Sequence, residues 1–369
     1  MIPPSISAWL NRLELPRRLP TAQSVVATRT EPAAEAKTAE EVATRDVAST
    51  PLVSVEKSAM ACDFEVLLNR GQYSAGIESA ASCLDEVTRL EQLLSVYKPS
   101  SDYSTANRFA ARNPIALQPD SFELLELAVA IHRWTGGAFD ITAGQLSEIW
   151  GFSRREGRKP EDDEIARALE VVGTDKLSLA PTPREVHFRV DGLKLNPGGI
   201  GKGFALDLAA LELRQSGVHD FAMHGGQSSI LAAGRRRHAA AGNGWRIALK
   251  HPLNPDVTLG NLDLIDLGLG TSGSGKQFFR FRGQRYSHII DPRSGQPATG
   301  LLSTTVLHPS AAIADALATA LFVMGPAEAV AFCEQHKITA LLILDRSGGG
   351  KAVVETINLP DGMWMAASG

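Results

Sequence analysis

The sequence has little cysteine, no excess of basic charge and no long unbroken apolar run. Each absence narrows what it can be. Lys and Arg total 37 against 41 Asp and Glu, a formal net charge of −4, so the charge balance gives no argument for a nucleic-acid partner. A polyanionic small ligand would have to be met by a local cationic or metal site. Cys62, Cys83 and Cys333 are an odd number without metal-ligand spacing, which speaks against a disulfide framework. The nine histidines are scattered with no HxxxH pattern. No apolar run reaches the roughly 18 residues of a membrane helix. The opening residues, MIPPSISAWLNRLELPRR, carry neither a basic-then-apolar export pattern nor a cysteine for a lipid anchor. On that ground the chain reads as soluble, without a transmembrane segment, and the expected compartment is the cytoplasm.

What is present is the balance of a globular protein. The 369 residues are 44% hydrophobic and 21% charged, enough for one large domain or two intertwined ones. Residues 1–50 stand apart: Pro3, Pro4, Pro16 and Pro20 precede a stretch rich in Ala, Glu and Thr. That composition predicts a disordered arm, with the folded domain over 51–350 and a C-terminal tail over 351–369. Within the domain, strand patterns at Val53–Lys57 and Phe64–Leu68 precede a helix over Ser74–Leu94. Its apolar stripe runs Ile77, Ala81, Leu84, Val87, Leu90, Leu94. Asp120 and Glu123 have capping-box spacing at the head of a helix ending at Trp134. Further helices are expected at Glu161–Val172, Gly203–Ser216, Ala311–Met324 and Ala327–His336, with strands between. Strands and helices mix without a βαβ repeat, so the fold class is α+β.

Four segments carry candidate chemistry. In Asn196-Pro-Gly-Gly-Ile-Gly-Lys-Gly-Phe-Ala-Leu-Asp207, a glycine-rich turn feeds a helix start. Such a turn brings N–H groups close to an anion, and Lys202 adds a point charge; a tight turn with a solvent-facing lysine is the alternative. In Ala314-Asp-Ala-Leu-Ala-Thr319, Asp315 and Thr319 share a helix face. A buried carboxylate needs a partner or a cation, and carboxylate and hydroxyl oxygens suit Mg²⁺; otherwise Asp315 is a capping residue. In Arg285-Tyr-Ser-His-Ile-Ile-Asp-Pro-Arg-Ser-Gly295, His288 could take a proton from a hydroxyl nucleophile, or it is a strand histidine bonded to backbone. In Trp134-Thr-Gly-Gly-Ala-Phe-Asp140, Phe139 and Asp140 could grip an aromatic ring and its edge, or form a helix C-cap with a core aromatic.

Taken in order, TGGAFDITAGQLSEIWGF (from Thr135), GGIGKGFALD (from Gly198), GTSG (from Gly270), YSHIIDPRSGQP (from Tyr286) and ADALAT (from Ala314) resemble the FAD:protein FMN transferase (ApbE) family over roughly Val53 to Leu344. The resemblance implies an α+β fold of mixed sheets and packed helices, with FAD in a cleft between two halves. It implies Mg²⁺ held by Asp315, Thr319 and a backbone carbonyl at Gly199, with Ala318 a further candidate through its backbone. FAD contacts carry over to Met60, Tyr97, Ala138, Phe139, Asp140, Asn196, Lys202, His288 and Ile290, with His288 and Asp315 as the catalytic pair. The implied reaction is Mg²⁺-dependent transfer of FMN from FAD to a Ser or Thr hydroxyl of an acceptor redox protein, releasing AMP. Two other readings share these residues: a Mg²⁺-dependent FAD pyrophosphatase, and a catalytically silent FAD-binding protein. Members of the family are often exported and membrane-anchored. The chain departs from the family pattern at Asn196 and Ser274, where Asp is common, at Gln227, where Asp or Asn is common, and at Met60-Ala-Cys62, where the family has Met-Gly-Thr.

Overall fold

The computed structural model describes residues 3–16, 51–154, 156–237, 244–275, 278–345 and 352–367. Helix α1 (Pro4–Arg12) is followed in the domain by the hairpin β1 (Leu52–Ala59) and β2 (Cys62–Asn69). Next come α2 (Gly76–Leu94), α3 (Asp102–Phe109), β3 (Ile115–Ala116), α4 (Pro119–Trp134), α5 (Gly144–Ile149) and α6 (Asp162–Val171). Strands β4 (Leu177–Ala180) and β5 (Glu185–Phe188) lead to α7 (Gly201–Gln215). Then follow β6 (Phe221–Gly225), β7 (Ser229–Ala233), β8 (Trp245–His251), β9 (Asn254–Leu264) and β10 (Leu267–Gly273). The hairpin β11 (Phe278–Phe281) and β12 (Gln284–Ser287) precedes β13 (Ser303–His308), α8 (Ala311–His336), β14 (Thr339–Asp345), β15 (Ala352–Ile357) and β16 (Trp364–Ala366).

Eight strands form the central sheet in the order β1-β2-β6-β7-β10-β13-β14-β15, with every neighbouring pair antiparallel. This is the α+β fold. Both faces are covered, so alternate residues of β14 enter different cores. Ala340, Leu342 and Leu344 face the helical side with α7 and α8. Leu341 and Ile343 join Trp245, Leu262 and Leu264 under the three-stranded sheet β16-β9-β8. Burial on both faces is why β14 reads TALLIL, apolar without alternation.

Helix α8 lies directly on β10, and glycine permits it. A Cβ at Gly270 would sit 2.4 Å from the Asp315 nitrogen. At Gly203, on the first turn of α7, a Cβ would sit 2.2 Å from the Ala311 carbonyl. Two glycines thus let α7, α8 and β10 converge around Asp315.

Several expectations need correction. Residues 4–12 are a helix, not part of a disordered arm. Ile6, Trp9, Leu10 and Leu13 are buried, and the Trp9 ring stacks on Phe204 with centroids 4.7 Å apart. Residues 17–50 lie outside the described residues. The segment expected to be a tail supplies β15 to the main sheet and β16 to the smaller one. Ile77 and Ala81 are exposed, and α2 buries Ala80 and Cys83 instead. Asp120 does not cap α4; it pairs with Arg12 and Arg89. The capping box forms at α6, between Glu161 and Glu164. By contrast, the two helices expected at Ala311–Met324 and Ala327–His336 are both present: α8 is broken between them by non-helical backbone at Gly325 (φ 74°, ψ 178°), ahead of Pro326. By length and mean hydropathy (1.7) α8 could cross a membrane, which no run in the sequence was expected to do, but half of that stretch is buried within the protein.

Candidate active site

The site is built on the start of α8. Ser310 caps the helix, its hydroxyl accepting from the Ile313 N–H at 3.3 Å. Asp207, on α7, holds the same end. Its carboxylate accepts from the Ala311 N–H (2.7 Å), the Ala312 N–H (3.1 Å), the Ser310 hydroxyl (2.5 Å) and the Trp9 indole N–H (3.3 Å). Burial pushes its pKa up to about 6, against the pull of these hydrogen bonds. A carboxylate at a helix N-terminus answers both the orphan N–H groups and the helix dipole. The final Asp of the glycine-rich segment is therefore the clamp that fixes α8 against α7.

One turn into α8, Asp315 is only 7% exposed. Its Oδ2 accepts from the Ser229 hydroxyl of β7 (2.7 Å) and from the Gly203 N–H (2.8 Å). Among the described residues both hydrogen bonds go to Oδ2 and none to Oδ1. The capping alternative is partly realised, since Gly203 lies on the first turn of α7, a different helix from the one carrying Asp315. Burial raises the Asp315 pKa to about 6, opposed by the charge of Lys202 and by these hydrogen bonds.

The Thr319 hydroxyl lies 3.3 Å from the Asp315 carbonyl, to which it donates, and 3.0 Å from the Ser272 hydroxyl of β10. A Cβ on Gly199 would come within 3.2 Å of the Thr319 Oγ1 and 3.3 Å of the Phe139 ring. Gly199, Asp315, Thr319 and Lys202 are thus brought together. The oxygens of Asp315, Thr319 and the Gly199 backbone are hard donors, which suit Mg²⁺. Among the described residues no three His, Cys, Asp or Glu cluster as a metal site. A cation here would therefore rest on one carboxylate, a hydroxyl and a carbonyl, and would need an anionic ligand to complete its shell. The Ala318 carbonyl accepts from the Thr304 hydroxyl at 2.6 Å, which turns this further candidate toward β13.

The two loops beside this group are zipped together. The Asn196 N–H donates to the Ile141 carbonyl (2.7 Å), and the Gly144 N–H to the Lys194 carbonyl (3.1 Å). The Asn107 side chain of α3 grips Leu195 at both its N–H (2.7 Å) and its carbonyl (3.0 Å). The Asn196 Oδ1 accepts from the Gly198 N–H at 2.9 Å, folding the loop on itself.

Asp140 serves its own loop. Oδ1 accepts from the Thr142 N–H (2.7 Å) and hydroxyl (2.6 Å), and Oδ2 lies 3.1 Å from His132 Nδ1. Burial would lower the His132 pKa, but the Asp140 carboxylate outweighs it and the net shift is upward. Ala138 and Phe139 are buried. The stretch 138–140 therefore presents backbone rather than an open aromatic face.

Met60 and Ala61 adopt positive φ (49° and 60°) at the β1–β2 turn. Glu91 ties that turn to the next candidate: it accepts from the Met60 N–H (3.0 Å) and from Lys98 (2.8 Å), the neighbour of Tyr97, which is 73% exposed. The Gly226-Gln227 turn, also at positive φ, abuts Cys62: a Cβ on Gly226 would lie 3.2 Å from its sulfur. His288 and Ile290 follow β12. The His288 ring stands edge-on to Phe152 at 6.3 Å, while Ile290 bridges to Pro297. The hydrogen bonds that organise Asp315 and Thr319 run to α7, β7 and β10. Ser229 and Ser272 were not singled out in the sequence. Ser229 carried no signal there, while Ser272 sits in the GTSG segment.

With this geometry in hand, the comparisons with known proteins are direct. Residues 60–342 match the model of the ApbE family. The FAD:protein FMN transferase of Haemophilus influenzae is 28% identical over 314 residues, covering 81% of this chain and 88% of that protein. That of Vibrio cholerae is 29% identical over 285 residues, covering 75% and 83%. Among solved structures, the apo form of the Pseudomonas stutzeri flavinyl transferase ApbE superposes with a TM-score of 0.74 at 28% identity, covering 85% of this chain and 96% of that one. The flavin transferase ApbE from Vibrio cholerae gives 0.72 at 26% identity, covering 83% and 97%.

Proposed function

The chain belongs to the ApbE family, and we propose that it transfers FMN from FAD to a Ser or Thr hydroxyl of an acceptor protein, releasing AMP. The observation that carries this reading is Asp315: a buried carboxylate with one oxygen held by protein donors and the other without a hydrogen bond among the described residues, while Thr319 on the same helix and Gly199 in the loop before α7 add oxygen donors. These three residues would hold Mg²⁺, which when bound offsets charge on a pyrophosphate. Lys202 and the N–H groups at the start of α7 supply fixed positive potential toward the same phosphates. The Asn107 clamp and the pairing of Asn196 with Ile141 hold that loop in place before a ligand arrives.

In the transfer, the acceptor oxygen forms a bond to the FMN phosphorus and the bond from that phosphorus to the AMP oxygen breaks. His288 takes the hydroxyl proton, and AMP leaves with the bridging oxygen. Met60, Tyr97, Ala138, Phe139, Asp140, Asn196, Lys202, His288 and Ile290 would line the FAD site, with 138–140 contributing backbone. Asn196 is compatible with this role despite the departure from Asp. Its amide oxygen already makes the turn-closing hydrogen bond to Gly198, which a carboxylate oxygen would make in the same way.

The test is incubation with FAD and Mg²⁺, with and without a candidate acceptor, following AMP and acceptor mass. FMN-sized labelling with AMP in step, both blocked by EDTA, is the expected result. AMP without labelling of any acceptor would replace this reading with FAD hydrolysis. FAD bound and unchanged would replace it with a silent flavin-binding protein.

A further inference from the structure

The hairpin β11–β12 joins the site to the surface. Arg282 and Gly283 adopt positive φ (50° and 80°) between Phe281 and Gln284, the two-residue turn that suits right-twisted strands. One face packs inward: Phe279 stacks on Tyr286 with centroids 5.1 Å apart and meets Phe152 at 5.6 Å. Phe152 in turn meets the His288 ring. The outward face carries Phe278, Arg280 and Arg285, with Phe278 41% exposed. The Arg285 guanidinium lies 3.8 Å above the Phe278 ring and donates to the carbonyls of Ser274 and Gly275. Those residues continue β10 beyond Ser272, the partner of Thr319. The hairpin is therefore rooted between His288 and the Thr319 end of the site.

Two features of this hairpin work against the stability of the isolated chain. Arg280 and Arg285 stand directly opposite each other on the ladder, and like charges so placed repel. Burial and the charge of Arg280 both lower the Arg285 pKa. Residues 276–287 contain four basic and no acidic residues. Among the described residues, Arg280, Arg282 and Arg285 form no ion pair. In addition, β11 and β12 pair only with each other among the described residues, so their outer edges offer backbone donors and acceptors to an added strand. A protein with net charge −4 has here a cationic, aromatic, open-edged strand pair.

We propose that β11–β12 is the docking surface for an acidic, extended segment of the acceptor polypeptide, seated beside the hydroxyl that reaches His288. The inference rests on the transferase reading for the identity of its partner, and the surface itself is tested by binding alone. Carboxylates flanking the acceptor hydroxyl would relieve the Arg280–Arg285 repulsion, and an apolar residue would cover Phe278. Electrostatic complementarity of this kind sets partner choice and association rate.

The probe is a displayed library of twelve-residue peptides with a central Thr and randomised flanks, selected for binding to the full chain at about 50 mM salt, where surface charge is weakly screened. Selection on the natural protein should enrich Asp and Glu at least tenfold over Lys and Arg. Arg280→Glu should abolish or invert that bias while FAD affinity, read by flavin fluorescence, stays within twofold. A pool without acidic bias, or the same bias on Arg280→Glu, overturns the proposal. So does Arg280-dependent co-sedimentation with anionic lipid vesicles when peptides show no such dependence, since the surface would then belong to a membrane. If acidic peptides select through Arg280 yet no acceptor ever gains FMN, the docking surface stands and the transferase reading falls.

Discussion

Asp207 and Asp315 are both buried at the start of α8, and burial raises both to a pKa near 6. They differ in how they are satisfied. Asp207 takes four donors distributed over both oxygens. Asp315 takes two, both on Oδ2. A buried carboxylate costs free energy in proportion to what it leaves unpaired. Asp207 is thus a finished structural clamp, whereas Asp315 accepts at one oxygen alone among the described residues, which fits the metal-holding role proposed for it. Composition and spacing cannot separate the two, because both sit in apolar helices within recognisable motifs; the count and direction of their donors can.

The comparison breaks most sharply through opposite variants. Asp315→Ala should cut Mg²⁺-dependent release of AMP from FAD by roughly a thousandfold or more, as loss of a metal-holding carboxylate does. Its thermal midpoint should fall less than that of Asp207→Ala, since it strands two buried donors rather than four, and normal turnover would remove Asp315 from the metal site. Asp207→Ala should do the reverse. It leaves buried N–H and O–H donors without an acceptor, at about 3 kcal/mol or more, read as a lower midpoint in thermal or urea unfolding. FAD affinity measured well below that midpoint should stay near that of the natural protein.

Asp207 also has a pH signature. Its folded-state pKa, about 6, lies above the ordinary 3.8, so the folded chain holds this proton more tightly than the unfolded one. Its contribution favours folding most below pH 3.8 and declines as pH rises toward 6. The stability difference between natural protein and Asp207→Ala should therefore change across that window. A flat difference would mean that Asp207 titrates alike in both states.

Lys202→Ala is a smaller perturbation that sharpens the role of the Asp315 side. The ammonium, at the start of α7, is near enough for its charge to pull down the Asp315 pKa, so its removal should weaken FAD by about tenfold, on the scale of one charge-assisted hydrogen bond. Riboflavin, which has no phosphate, should lose far less. Equal losses for the two ligands, measured by fluorescence titration, would take Lys202 away from the phosphates.

Much of the candidate site could be proposed from the sequence because its chemistry is local. Asp315 and Thr319 four residues apart, and glycines around Lys202, carry their meaning in spacing. The supports for that chemistry could not be read the same way. Asp207 meets Ala311 across 104 positions and Asn107 meets Leu195 across 88, and no window of sequence joins them. Strands β9 and β10 carry weak local signals, since NPDVTLGNLDL and LGLGTSG are rich in residues that strands usually avoid. Gly268 and Gly270 weaken the strand pattern because α8 needs the space they leave. At Asp120 a local rule was overridden by long-range pairing with Arg12 and Arg89.

Helix α1 is the instructive error, and it carries the smallest predicted effect. Ile6, Trp9, Leu10 and Leu13 fall at i, i+3, i+4 and i+7, the spacing of a helix with one apolar face, and Pro4 stands at its first position, where proline is favoured. The composition of residues 17–50 masked that signal. Trp9 couples this outlying helix to the Asp207 clamp in two ways: its ring stacks on Phe204, and its indole N–H reaches Asp207 and Ser310. Trp9→Phe keeps most of the ring and removes the donor. It should cost about 1 kcal/mol, the net worth of a hydrogen bond to a charged or hydroxyl acceptor together with a slight loss of packing. In an Asp207→Ala background the same substitution should cost measurably less, because one of the two acceptors of the indole N–H is already gone. Additive losses in that cycle would show that Trp9 holds α1 by packing alone, and that the clamp on α8 closes without the N-terminal helix.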